Sequence, residues 1–127
     1  MQMDYSEIEL DLPKPPSLNQ YYAGKHFSIR QKHKKEYFNA LEKAFENYDE
    51  FFAETFEIDV CHNSRYDTDN CILAIKFTAD YLRHRSWVKD DTKKYFKKLS
   101  IKVDDEMPKD IFKVKIKLYG YKELPNV

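Results

Sequence analysis

Ile8, Leu10 and Leu12 are apolar, and Glu7, Glu9 and Asp11 between them are charged. A period of two puts one set on each face of an extended chain, so this stretch predicts a half-buried strand. Pro13, Pro15 and Pro16 end it, because proline brings no N–H to a ladder, and Leu12 to Gly24 is expected to be an ordered surface loop. The period then changes. Tyr37, Leu41, Ala44, Phe45 and Tyr48 recur at helical spacing behind a capping-box pair, Ser28 and Gln31, predicting a helix from about Ile29 to Tyr48. Alternation returns at Phe56, Ile58 and Val60. A second helix is expected from near Asp69 to about Arg83, with Ile72, Leu73, Ile75 and Leu82 directed at the core. Two more strands follow, through Leu99, Ile101 and Val103 and through Phe112, Val114, Ile116 and Leu118. Lys113, Lys115 and Lys117 are expected on the exposed face of an antiparallel pair.

The order β-α-β-α-β-β has neither repeat nor linker. It predicts one α+β domain over residues 1–127, a mixed sheet packed by two helices. A chain of 127 residues can bury its own core, and 42% hydrophobic with 16% aromatic residues excludes disorder. Cys61 and Cys71 are too few for a disulfide framework. With His62 they offer at most three ligands at a spacing unlike a zinc site, so ordinary thiols are the simpler reading. No apolar run approaches the roughly 20 residues of a membrane span. The N-terminus, MQMDYSEIEL, lacks a basic and then apolar leader, so a soluble, cytoplasmic protein with no membrane partner is expected.

Charge changes the picture through its arrangement. Lysine plus arginine and aspartate plus glutamate each number 22, which argues against a general polyanion binder. The cations nevertheless gather in two blocks, Lys25 to Lys43 and Arg83 to Lys102, around an acidic stretch from Glu46 to Asp59. Opposed blocks can present one positive face to a phosphate backbone.

Between the basic blocks lies Asp67-Thr68-Asp69-Asn70, at the start of the second expected helix. Asp69 suits an N-cap, and Asp67 would gain from the helix dipole. The same residues suit a metal. Asp90-Asp91 follow that helix, and Arg65, Lys76, Lys89 and Lys93 are interspersed with the acids. Mg²⁺ is usually held by one or two carboxylates plus substrate phosphates. In such a site the ion activates water while cations offset charge on the reacting phosphate. These residues alone leave capping and metal binding both open.

Four segments in chain order resemble the RusA-type Holliday junction resolvases. Leu12-Pro13-Lys14-Pro15-Pro16-Ser17-Leu18-Asn19-Gln20-Tyr21-Tyr22 resembles the family's L-P-x-P-P-S-x-N-x-Y-Y, and Asp67-Thr68-Asp69-Asn70 its D-x-D-N. Lys76 to Leu82 resembles K-x-x-x-D-x-L, and Trp87 to Asp91 an aromatic-led segment ending in D-D. The likeness runs from Leu12 to about Val103. It implies a RusA-like fold and a homodimeric endodeoxyribonuclease, of phage or prophage type, that nicks four-way DNA symmetrically and leaves a 5′-phosphate. A two-fold dimer would match the symmetry of such a junction. It further implies Mg²⁺, with Mn²⁺ a possible substitute, held by Asp67, Asp69 and Asp91 with Asp90 auxiliary, and catalytic roles for Asp67, Asp69, Asp91 and Lys76. DNA contacts are expected from Asn19, Tyr21, Tyr22, Lys25, Arg30, Lys32, Arg65, Asn70, Lys89 and Lys93. One spacing departs from the family. Its lysine lies four residues after the second aspartate, where this chain has Leu73, and Lys76 lies seven after. Either Asp67 to Asn70 occupy an extra turn or loop, or Lys76 faces another part of the site.

Two rivals follow from the same residues. Asp91-Thr92-Lys93 satisfies the D-x-K of another nuclease class, but it precedes the expected strand where that class places it within one. A non-catalytic nucleic-acid binder would instead stack bases on Tyr21, Tyr22, Phe27, Tyr95 and Phe96, at about 1–3 kcal/mol each. Such a binder needs no clustered carboxylates.

Overall fold

Every stretch of two-residue alternation is a strand. The computed structural model describes residues 3–22 and 27–123. Its elements are β1 (Asp4–Pro13), α1 (Leu18–Tyr22), α2 (Phe27–Phe45), β2 (Phe52–His62), a 3₁₀ turn (Thr68–Cys71), α3 (Leu73–His84), β3 (Phe96–Val103) and β4 (Ile111–Tyr121). They form one small α+β domain with a four-stranded mixed sheet in the order β1-β4-β2-β3. β4 runs antiparallel to both β1 and β2, while β3 runs parallel to β2, its crossover provided by α3.

The pleat sorts the residues by face. Ile8, Leu10, Leu12, Phe56, Ile58, Val60, Phe112, Val114, Ile116 and Leu118 are buried beneath the helices. α2 adds Tyr37, Leu41 and Phe45, and α3 adds Leu73, Ala74, Ile75, Phe77, Ala79, Tyr81 and Leu82. Each large side chain taken from water contributes about 1.5–3 kcal/mol, so this layer fixes how α3 lies on the sheet. On the opposite face the lysine row is half-buried on a central strand, and Glu9, Glu7 and Asp59 of its neighbours meet Lys113, Lys115 and Lys117 at 3.4, 3.6 and 3.7 Å. That row is neutralised from both sides and offers no free basic surface. β3 is one of the two sheet edges, the other being β1. Leu99 and Val103 stand opposite Ile58 and His62 on the helix side, yet they are 50% and 54% exposed.

Several boundaries differ from the sequence expectation. β1 continues to Pro13, and the expected loop contains the short helix α1. Its start is a capping box that spacing alone did not single out. The Gln20 N–H donates to Ser17 Oγ at 3.1 Å, and the Ser17 N–H donates to Gln20 Oε1 at 3.2 Å. Ser28 lies inside α2, which already includes Phe27, so it is not that helix's cap, and α2 stops at Phe45 rather than Tyr48. The second expected helix is divided. Thr68–Cys71 is a 3₁₀ turn, and Ile72, not Asp69, is the N-cap residue of α3.

The end of α3 is equally specific. Ser86 has φ 61°, its N–H donates to the Arg83 carbonyl, and the Trp87 N–H donates to the Leu82 carbonyl, both at 3.0 Å. This is a Schellman stop with serine where glycine is usual. It turns the chain so that Trp87 packs edge-on against Phe45, ring centroids 5.2 Å apart, before the segment carrying Asp90 and Asp91. At the same end of the sheet β4 crosses β2 closely. A Cβ on Gly120 would lie 2.0 Å from the Phe52 carbonyl oxygen, so only glycine fits there.

Candidate functional site

β2 delivers the chain to His62, which is buried. The Ser64 N–H donates to His62 Nδ1 at 3.2 Å, and Cys71 Sγ lies 3.6 Å from Nε2. Burial pushes the His62 pKa down and the Cys71 thiol up. Both groups are therefore favoured in their neutral forms, which is the wrong state for a nucleophilic thiolate–imidazolium pair. Cys61, its neighbour in β2, alternates to the other face of the sheet. The pair is a packed floor beneath the 3₁₀ turn.

Asn63 Nδ2 donates to the carbonyls of Met107 and Asp105, at 2.9 and 3.2 Å, which anchors the chain as it leaves β2. Tyr66 Oη then donates to Gln20 Oε1 at 3.1 Å, and Lys14 Nζ sits 5.0 Å from the centre of the Tyr66 ring. The proline-rich segment and the Asp67–Asn70 segment, 45 or more positions apart in sequence, are thus neighbours. The turn closes by its backbone, the Asn70 N–H donating to the Asp67 carbonyl at 2.9 Å. Neither Asp67 nor Asp69 uses its side chain as a cap, and both are exposed. Among the described residues their carboxylates accept no hydrogen bond and form no ion pair, so capping does not account for them.

Ile72 separates the turn from α3, so Asp67 to Asn70 and Lys76 do not share one continuous helix. Leu73 is 1% exposed and belongs to the core. Lys76 is exposed, with no ion-pair partner among the described residues. From Leu73 to Leu82, α3 is buried on nearly every side and shows solvent only Lys76 and Asp80, with Arg83 continuing the row. These three fall at i, i+4 and i+7, one line along a helix.

The far end of that line is crowded with charge. Asp80 Oδ2 lies 3.0 Å from Lys34 Nζ of α2, and its Oδ1 lies 3.7 Å from Arg83. Arg83 also reaches Asp90 at 3.6 Å and Asp91 at 4.0 Å. Asp90 Oδ1 accepts the Asp91 N–H at 2.8 Å. That bond, with help from Arg83, holds the Asp90 carboxyl below its ordinary value. Asp91 is held above its own, first by burial and then by Asp90 beside it.

Asp67 and Asp69 precede α3, whereas Asp90 and Asp91 bind its last turn, and a helix of 12 residues is about 18 Å long. Among the described residues no three histidine, cysteine, aspartate or glutamate side chains are grouped to hold a metal ion. At the second pair Arg83 already supplies a balancing positive charge.

The remaining expected contacts divide by exposure. Tyr21 is a core residue, 8% exposed and edge-on to Phe77 at 5.5 Å, so its ring is not open to a base. Tyr22 is 52% exposed, with the Arg30 guanidinium 5.6 Å from its ring centre. Asn19, Lys32, Arg65, Lys89 and Lys93 are exposed, and Asn70 is half-buried. Lys25 lies outside the described residues. Sequence reasoning missed the part played by Arg83 and Lys34 around Asp80, although the four- and three-residue steps from Lys76 to Asp80 to Arg83 were visible. No helix among the described residues is long and apolar enough to cross a membrane. No protein-family model matches the chain, and no curated protein is significantly similar to it.

Proposed function

We propose that this chain is a RusA-like endodeoxyribonuclease that acts on four-way DNA as a homodimer, with Asp67, Asp69 and Lys76 as its working group. One observation carries the reading: these three exposed side chains have no ion-pair or hydrogen-bond partner among the described residues, at the entrance to a helix that is mostly buried from Leu73 to Leu82. Tyr66, docked on the proline-rich segment, adds support, because it joins two of the four motifs that resemble the family. Carboxylates are hydrogen-bond acceptors, and these two are open to orient water or bind cations. The Lys76 ammonium offsets negative charge on a phosphate approaching that end of α3. Arg30, Lys32 and Arg65 extend the positive surface that a DNA backbone requires. Mg²⁺, or Mn²⁺ in its place, is the cofactor the resemblance implies. No step is assigned to it.

A second reading, a DNA-binding relative that does not cut, is favoured by Arg83, which already balances Asp90 and Asp91. One experiment separates the two. A synthetic four-way junction and a matched linear duplex are incubated with the protein, with and without Mg²⁺, beside Asp69→Asn. Symmetric nicks in the junction that Asp69→Asn loses support the nuclease. Junction binding without cleavage under any divalent ion removes it and leaves the binder.

A further inference from the structure

A pocket of about 630 Å³ opens at the end of the sheet opposite His62, between the start of β2 and the segment that follows α3. Its origin is a gap in backbone pairing. The Ala53 N–H donates to the Trp87 carbonyl at 2.7 Å and the Phe56 N–H to the Tyr95 carbonyl at 2.9 Å. Val88 bridges Ala53, and the chain loops away only between that bridge and Tyr95. The β2–β4 register also shifts between Ala53 and Thr55. Both margins are thus pinned by main-chain bonds, and the hollow is preformed. Its volume is that of a small-molecule site, typically about 300–1,000 Å³.

The lining specifies a chemistry. Phe52, Trp87, Tyr95 and Tyr121 give it aromatic walls, suited to a planar ring. Lys89 and Lys94 line it as well, opposed by the single acid Glu54. Neither lysine is among the ion pairs of the described residues. The Lys94 ammonium stands 5.4 Å from the centre of the Tyr95 ring, which places a cation beside an aromatic wall. Trp87 Nε1–H is buried and has no acceptor among the described residues, so a donor is left unused in this wall residue. Aromatic surface with two cations to one acid complements a planar ring that carries an anionic group.

We propose that this pocket takes one unstacked nucleotide of a DNA strand, its base against the aromatic walls and its phosphate on Lys89 and Lys94. Choosing a nucleotide over another aromatic anion rests on the DNA reading above. Binding in the pocket requires no cleavage. Lys89 adjoins Asp90, so a strand held here passes the second acid pair.

Trp87 is the only tryptophan, and its fluorescence reports on the pocket directly. The full chain is titrated with deoxyadenosine and thymidine monophosphates, each beside its nucleoside, and with inorganic phosphate. The monophosphates give a saturating change, and the nucleosides and phosphate bind at least about tenfold more weakly. Lys89→Glu combined with Lys94→Glu, two exposed positions, weakens the monophosphates by about tenfold or more with an unchanged circular dichroism spectrum. The milder Lys94→Gln gives a smaller loss. An unpaired strand competes with the monophosphate and a matched duplex does not.

The proposal is overturned by no saturable change, by equal binding of nucleoside and monophosphate, by indifference to both lysine substitutions, or by monophosphate binding that no strand displaces. Its failure is distinct from failure of the nuclease reading. Saturation without junction cleavage leaves the pocket standing alone, and cleavage without saturation leaves the nuclease standing alone.

Discussion

Asp67–Asp69 and Asp90–Asp91 are two carboxylate pairs that precede and follow one helix in the chain, and the fold treats them differently. The first pair is exposed on a 3₁₀ turn and does nothing for the fold that its backbone does not already do. The second is bound to Arg83 and to itself, with Asp80 and Lys34 close by. Two nearby carboxylates in a sequence therefore identify neither a metal site nor a cap. What separates them is whether the surrounding fold has already supplied the balancing charge.

The sharpest way to break this contrast is at the first pair. Asp67→Asn or Asp69→Asn should lower junction cleavage by about a hundredfold or more, equivalent to about 3 kcal/mol of transition-state stabilisation. Folding stability should change by no more than about 0.5 kcal/mol, as for other surface positions without structural partners. Cleavage rates and thermal melts on the same preparations check both halves. A melt that falls by more than about 1 kcal/mol would make Asp69 a structural residue and erase the difference between the pairs.

Whether these differences could be read from the sequence depends on their range. Alternation in Ile8–Leu12, Phe56–Val60, Leu99–Val103 and Phe112–Leu118 is set by the pleat, and it marked all four strands in the right order. Sheet order was not legible, because β4 enters between β1 and β2 through pairings remote in sequence. The turn before α3 escaped for a local reason. Asp69 has the residue type of a cap, but Leu73, Ala74 and Ile75 are drawn into the core together, and Ile72 becomes the boundary. For the candidate site, the motifs singled out both acid pairs and Lys76 but not how the fold balances their charge. The long reach of Arg83 to Asp90 and Asp91 depends on the Schellman turn at Ser86, which carries no glycine to announce it.

That turn gives the next test. Ser86 holds the connection to the second pair in a left-handed conformation that costs an L-residue roughly 1–2 kcal/mol. Ser86→Gly removes the strain but adds unfolded-state entropy, for a net gain of about 1 kcal/mol. In a domain of this size the midpoint should rise by about 4 °C, read by thermal denaturation. No similar gain is expected from glycine at Asp69, since the first pair needs no unusual backbone.

Arg83→Gln acts on the second pair itself. Arg83 is half exposed, so its ion pairs together contribute under about 1 kcal/mol, and the loss should shrink as salt rises. With the guanidinium gone, Asp80, Asp90 and Asp91 face one another with less compensation. Mg²⁺ or Ca²⁺ should then raise the melting midpoint of the variant more than that of the wild type, by mass action on the folded state. Equal shifts in both proteins would mean that Arg83 is not standing in for a cation. Asp69→Asn in the same assay should leave the difference intact.

The smallest effect concerns what lies under each pair, and its signs differ. Beneath the first pair, burial depresses the His62 pKa from an ordinary 6.5. The unfolded chain then takes up a proton that the folded one refuses, and stability is lost as the pH falls below about 6.5. Cys71 beside it is displaced the other way, above an ordinary 9.0, so the stability that its protonated thiol contributes is lost as the pH rises beyond about 9. Together they confine this end of the molecule to a plateau between those limits. At the second pair, the raised carboxyl of Asp91 costs stability at neutral pH and returns it as the pH falls toward its unfolded value of 3.8. Asp90, whose carboxyl is depressed, opposes that gain at still lower pH. Melts of the wild type and His62→Asn from pH 5 to 8 isolate the first contribution, because the acid-side slope should flatten in the variant. If the slope is unchanged, His62 is as easily protonated in the folded chain as in the unfolded one, and the floor beneath Asp67 and Asp69 is wetter than its 1% exposure implies.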